Sequence, residues 1–201
     1  YPQLWMNTQD DNLSLTGDGT ASSPYVVASP QAMAAIGREQ QITELTQISL
    51  SLSADYIQPV DIYFEGIDTN LTGPGTFTPI GLDEATGTIT AFDGTYYGDS
   101  ASGKTVSLTG LDIQSAHNNI ALFATVGSGA VVDGLEISNS SISTTTTSPF
   151  NMAAFAVTNN GTISNCVNKM NIEFTMSSSH DNGTNVGGIV ANNNGRILLC
   201  S

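Results

Sequence analysis

The sequence predicts an all-β protein, a right-handed parallel β-helix carrying one short N-terminal capping helix, and three observations point there. The first is repetition. The segments Asn119-Ile120-Ala121-Leu122-Phe123, Asn151-Met152-Ala153-Ala154-Phe155 and Asn185-Val186-Gly187-Gly188-Ile189 share one register, spaced by 32 and 34 residues. The second is a fixed pattern downstream of each Asn: a Gly ten residues on (Gly129, Gly161, Gly195) and a β-branched residue two later (Val131, Ile163, Ile197). Such units, a short apolar strand, a Gly/Asn turn and a second strand, cannot bury their apolar faces without a neighbour, which is the logic of a solenoid. The third is composition. Gly, Asn, Ser, Thr and β-branched residues fill these units and helix formers are scarce, with 4 Lys+Arg in 201 residues, so stacked strands are favoured over stacked helices.

In chain order, residues 1–74 read as the lead-in and capping segment and residues 75–201 as the repeats, with units at 119–143, 151–174 and 185–201. Gly17-Asp18-Gly19-Thr20 is a turn cluster, and Pro24-Tyr25-Val26-Val27 after it is a short strand. Ser29 as N-cap and Pro30 at the first helical position start a helix, with Met33 and Ile36 on one face. A helix from Ser29 to about Gln40, too short to hold itself, needs packing and is expected to cap the core. Ile48, Leu50 and Leu52 alternate with Ser as a half-buried strand. The turns Asn159-Asn160-Gly161 and Asn192-Asn193-Asn194-Gly195 suggest Asn side chains bonding their copies in the next coil, with Gly supplying positive φ. Thr144-Thr145-Thr146-Thr147-Ser148-Pro149 reads as a loop ejected from a coil. Phe123, Phe155 and Ile189 are expected to stack in successive coils, and Val131, Ile163 and Ile197 to stack on a second face.

The stretch Asn185-Val186-Gly187-Gly188-Ile189-Val190-Ala191-Asn192-Asn193-Asn194-Gly195-Arg196-Ile197 resembles the GLUG motif of bacterial surface proteins, found also beside immunoglobulin A peptidase domains. Phe77-Thr78-Pro79-Ile80-Gly81 and Ala91-Phe92-Asp93-Gly94-Thr95 resemble the Pro-Ile-Gly and Phe-Asp-Gly pair that precedes such repeats. The segment from Gly17 through the helix start at Ser29 is similar to the usual opening of these domains. The departures are Ala153-Ala154 and Ala121-Leu122 where the motif has Gly-Gly. The resemblance implies a β-helix exposed on a bacterial surface, as in adhesins and lipoproteins. It brings no peptidase chemistry, because His-Glu-x-x-His does not occur.

A net charge of −14 argues against nucleic acid and anionic membranes as partners, since both are held by cationic side chains. No run approaches the roughly 18 apolar residues of a membrane span. The opening Tyr1-Pro2-Gln3-Leu4-Trp5 looks like a chain already cut from an export signal, so an extracellular or cell-surface location is expected. The end at Leu199-Cys200-Ser201, just after a strand, suggests a piece of a longer protein whose C-terminal edge meets further chain or another subunit.

No catalytic, cofactor-binding or metal residues are assigned. His117 and His180 lie 63 residues apart and read as surface loop residues. Among Asp83, Glu84, Asp93, Asp99, Asp112 and Asp133, only Asp83-Glu84 are close, in a turn between Gly81 and Gly87. Arg38, Lys104, Lys169 and Arg196 are too few to neutralise an acidic sugar, so a carbohydrate-active β-helix enzyme stands behind an adhesion or display scaffold and an end-to-end structural subunit. Calcium is a weak option at Asp10-Asp11, Asp18 and the Asp93…Asp99 loop. Cys166 and Cys200 occupy equivalent positions, fifteen residues after their Asn. Stacked coils bring them within disulfide reach, but parallel side chains often miss the required torsion, so a disulfide and two stacked thiols both remain open. Tyr96-Tyr97, flanked by Gly94 and Gly98, reads as a loop and is the best guess for an exposed ligand contact, protein or glycan.

Overall fold

The computed structural model describes residues 16–43, 46–67, 69, 77–98, 105–115, 117–144, 149–174 and 183–201. The chain opens with β1 (Tyr25–Val26), α1 (Pro30–Ala34) and an antiparallel pair, β2 (Glu39–Thr43) and β3 (Thr46–Ser49). The first coil carries β4 (Asp55–Gln58) and β5 (Ile62–Tyr63). The second carries β6 (Thr95–Gly98), β7 (Val106–Thr109), β8 (Asp112–Gln114), β9 (Asn119–Ile120) and β10 (Phe123–Val126). The third adds β11 (Val131–Asp133), β12 (Leu135–Thr144), β13 (Asn151–Ala153) and β14 (Ala156–Asn159). The fourth has β15 (Thr162–Ser164), β16 (Val167–Phe174), β17 (Asn185–Gly187) and β18 (Val190–Asn193), and β19 (Arg196–Leu198) stacks on β15 as the start of the next coil.

Successive coils pair in parallel, giving the sheets β1-β4-β6-β11-β15-β19, β5-β7-β12-β16, β9-β13-β17 and β10-β14-β18, with β8 also on β12. This is a parallel β-helix of about four turns, as the repetition predicts. One residue column runs through the largest sheet: Tyr25, Tyr56, Tyr96, Val132, Ile163 and Ile197 are successive partners. Tyr56, Tyr96, Val132 and Ile163 are fully buried. Burying such side chains contributes roughly 1.5–3 kcal/mol each, so the column is a principal source of cohesion between coils.

From the repeat unit that starts at Asn151 to the one that starts at Asn185 the expected register holds throughout: Asn151 pairs with Asn185, Ala156 with Val190 and Ile163 with Ile197. Between the units that start at Asn119 and Asn151 it slips. Asn119 pairs with Asn151 as expected, but Phe123 meets Ala156 and Val131 meets Thr162. Phe155 is the extra residue of the turn before β14. The corner Gly127-Ser128-Gly129-Ala130 is then matched by Asn160-Gly161 alone, which overshoots the correction by one residue. Phe123 and Phe155 therefore lie in adjacent coils and are both buried, but Phe123 puts its ring against Phe92 and Tyr96 (centroids 5.1 and 6.3 Å apart). Val132, not Val131, takes the inward position opposite Ile163.

The helix starts as predicted, with the Ser29 hydroxyl accepting from Ala32 N at 3.2 Å. It ends at Ala34, well short of Gln40. Gly37 at φ +79° turns the chain out of the helix, and its N–H donates to Leu50 O at 2.7 Å. Ala32, Met33 and Ala34 are buried in the same apolar core as the coils. The turn glycines act differently from the expectation of positive φ, which Gly129, Gly161 and Gly195 do not adopt. A Cβ on Gly161 would lie 2.4 Å from Ala130 O and Gly127 O, and one on Gly195 2.2 Å from Gly161 O. Close approach of one coil's backbone to the next is what requires Gly at these two corners.

Candidate functional site

Ile80 sits beside Phe123 and Phe92 beside Val126, so the first coil passes under β10 at both places. Between them residues 81–90 have no counterpart in the next coil. They leave the coil as a small hairpin closed by a Leu82–Ile89 bridge. Asp83 holds its tip: Oδ1 accepts from Ala85 N at 2.9 Å and Oδ2 from the Thr86 hydroxyl at 2.8 Å. The Thr86 hydroxyl and these backbone donors hold the Asp83 carboxyl below its ordinary value, so it is ionised at neutral pH. Glu84 next to it accepts from the Ser115 hydroxyl at 3.0 Å, and its carbonyl lies 2.8 Å from His117 Nε2.

This hairpin and the turn after α1 border a half-open cavity of about 590 Å³. Arg38 lines it, with Nη2 donating to Thr78 O at 2.6 Å and Pro79 O at 3.2 Å and the guanidinium 5.6 Å above the Phe77 ring. Burial pulls this guanidinium down to about 10, against the opposing pull of the Glu84 charge, and it remains cationic at neutral pH. Glu39, Asp83 and Glu84 share the lining with Thr78, Thr88 and Thr90. The cavity thus offers cationic donors, carboxylate acceptors and hydroxyls that do both. Sequence reading placed Asp83-Glu84 correctly in a turn but missed Arg38 as their neighbour. The signal available was the length of 81–90 relative to the repeat.

The tyrosine pair divides. Both residues lie on β6, a strand and not a loop. Tyr96 points into the core, fully buried, with its hydroxyl donating to Gln58 Oε1 at 2.9 Å, and burial pushes that phenol far above its ordinary value. It is no exposed contact, whereas Tyr97 on the other face is 44 % exposed. The flanking glycines reflect coil stacking: a Cβ on Gly94 would lie 1.8 Å from Ala54 O, and one on Gly98 2.1 Å from Gly134 O.

Cys166 and Cys200 sit at the same point of adjacent coils as two free thiols, Cys166 buried and Cys200 partly so. Ser201 N donates to Cys166 O at 3.0 Å, tying the two positions together. Each sulfur also faces a carbonyl of the coil beneath: Cys200 Sγ is 3.7 Å from Ile163 O and Cys166 Sγ 4.0 Å from Val132 O.

The remaining candidates are dispersed. Asp112 accepts from Gln114 and Ser141, and Asp133 from the Ser164 hydroxyl at 2.6 Å and Asn165 Nδ2 at 2.7 Å. Lys169 pairs with Glu136 at 2.8 Å, and Arg196 is exposed. Asp18 accepts from Thr20 within its own turn, and Asp93 is exposed. Among the described residues no three His, Cys, Asp or Glu side chains converge as a metal site. Asp10, Asp11, Asp99, Lys104 and His180 lie outside the described residues. No described helix is long and apolar enough to cross a membrane.

Compared with protein-family models, with curated proteins and with solved structures, the chain finds no match. The class it belongs to is therefore the one its own geometry defines, a parallel β-helix with a polar cavity beside its N-terminal helix.

Proposed function

We propose that this chain is a non-catalytic scaffold of a bacterial surface protein, serving adhesion or surface display. The observation that supports this reading best is the side-chain column Tyr25, Tyr56, Tyr96, Val132, Ile163 and Ile197, in which each coil is seated on the one before. A stack of this kind grows in one dimension and fixes the distance between its two ends while leaving its outer faces open to a partner. A −14 charge spread over few charged residues keeps such a surface soluble and turns away polyanions. The test is protease shaving of intact source cells combined with an attachment assay on a deletion strain. Loss of the protein from shaved cells and weakened attachment are expected; a protein found only in the cytosol overturns the reading.

A further inference from the structure

We propose that the cavity between Arg38 and the 81–90 hairpin binds a neutral sugar unit. The proposal deepens the display reading, on which it rests, by naming what the scaffold would hold. The volume of about 590 Å³ falls in the range of small-ligand sites and suits one or two sugar rings. Both hydrogen bonds of Arg38 use Nη2, which leaves Nε and Nη1 for a guest in the cavity that it lines. Thr78, 4 % exposed, gives Arg38 its carbonyl and not its hydroxyl. Thr88 and Thr90 add hydroxyls on the hairpin side.

Charge selects among guests. Glu39, Asp83 and Glu84 outnumber the single guanidinium, so an anionic sugar meets net repulsion in a protein that already carries −14. A cationic guest is drawn by the same carboxylates but repelled by Arg38, whose charge is already disfavoured by burial, and because an ammonium group can only donate it leaves the guanidinium donors without an acceptor. Sugar hydroxyls, which donate and accept at one atom, satisfy guanidinium, carboxylate and threonine groups together without adding charge.

The test uses the full chain, isotopically labelled for amide NMR and titrated separately with glucose, galactose, mannose and N-acetylglucosamine, and in parallel with glucuronate and N-acetyl-lysinamide. At least one neutral sugar should give saturable shifts confined to amides around Gly37, Arg38, Gly81 and Thr88. Thr90→Trp, a cavity-filling change at an exposed position, should remove them while the remaining spectrum stays native, and Thr88→Phe serves the same purpose should the first variant misfold. No shifts from any neutral sugar, shifts away from the cavity, a response only to glucuronate or to N-acetyl-lysinamide, or shifts that survive in a folded filled variant each overturn the proposal. Because the titration is made on purified protein and the shaving assay on cells, failure of the sugar site and failure of the surface reading are seen separately.

Discussion

The side-chain amide of Asn159 donates to Oδ1 of Asn193, the same position one coil further on, at 2.8 Å. Asn159 is fully buried and is one of several such ladders: Asn151 donates to Asn119 at 3.1 Å, Asn185 to Asn151 at 2.8 Å and Asn194 to Asn160 at 3.1 Å. An amide suits this position because it carries a donor and an acceptor on one plane, so every copy can give to one neighbour and receive from another.

Asn159→Ala should therefore destabilise more than Asn194→Ala. Asn159 Oδ1 also accepts from Gly161 N at 3.1 Å, so its loss leaves buried backbone as well as side-chain groups unpaired. Unsatisfied buried groups cost about 1–3 kcal/mol each, whereas Asn194 is exposed and water replaces its bond. Urea unfolding of the two variants measures the difference; equal effects would show that the ladder's burial does not matter.

The corner glycines give a matched pair. Gly161→Ala drives a Cβ to 2.4 Å from two carbonyl oxygens of the previous coil, whereas a Cβ on Gly129 meets nothing within 4 Å. Overpacking of this kind costs about 1–3 kcal/mol, and here backbone would have to move to relieve it. Thermal unfolding should show Gly161→Ala clearly destabilised and Gly129→Ala near wild type.

The same contrast separates the features that were legible in the sequence from those that were not. The stacking of Asn119, Asn151 and Asn185 and the bonding of the turn amides Asn159 and Asn160 to their copies were legible because one residue type recurring in one register of a β-rich chain marks stacked copies of a single position. The slip that brings Phe123 opposite Ala156 was not, since it depends on turn lengths that periodicity does not encode. Tyr96 was misread because Gly94 and Gly98 resemble loop punctuation, whereas both serve close backbone approach. The cavity escaped because Arg38 and Glu84 meet only when the hairpin at 81–90 folds back over the turn after α1. A contact between segments that far apart in sequence leaves no local pattern.

Leu199 has φ +54°, a region that bulky side chains disfavour, and it is 85 % exposed. It follows Leu198 as Asn165 follows Ser164 and Gly134 follows Asp133, and all three residues have positive φ. The two earlier coils thus use Gly and Asn, which tolerate this conformation, where the last uses Leu. Leu199→Gly should relieve about 1 kcal/mol of strain, reduced by the extra freedom that Gly gives the unfolded chain. Leu199→Asn should gain without that loss. A rise in Tm for Leu199→Asn, at least equal to that for Leu199→Gly, is the expected result.

The thiol pair carries a pH signature. The neighbouring Cys166 thiol favours the Cys200 thiolate and lowers it below the ordinary thiol value of 9.0. The same neighbour, together with burial, pushes Cys166 up. For Cys200 the folded value is the depressed one, so its contribution to stability is present above the ordinary thiol pKa and is lost as pH falls through that lowered value. Cys166 has the opposite sign, its contribution lost as pH rises past the ordinary thiol value, so the two offset one another and stability is a poor readout of the pair. Alkylation is a direct one, because only the thiolate reacts. Iodoacetamide labelling followed by mass spectrometry across pH should show Cys200 modified with a midpoint below the ordinary thiol value of 9.0, while Cys166 stays protected in the folded chain. Cys166→Ala removes that neighbour and should return the Cys200 midpoint toward the ordinary thiol range; an unchanged midpoint in that variant would mean that the neighbouring thiol is not what lowers it.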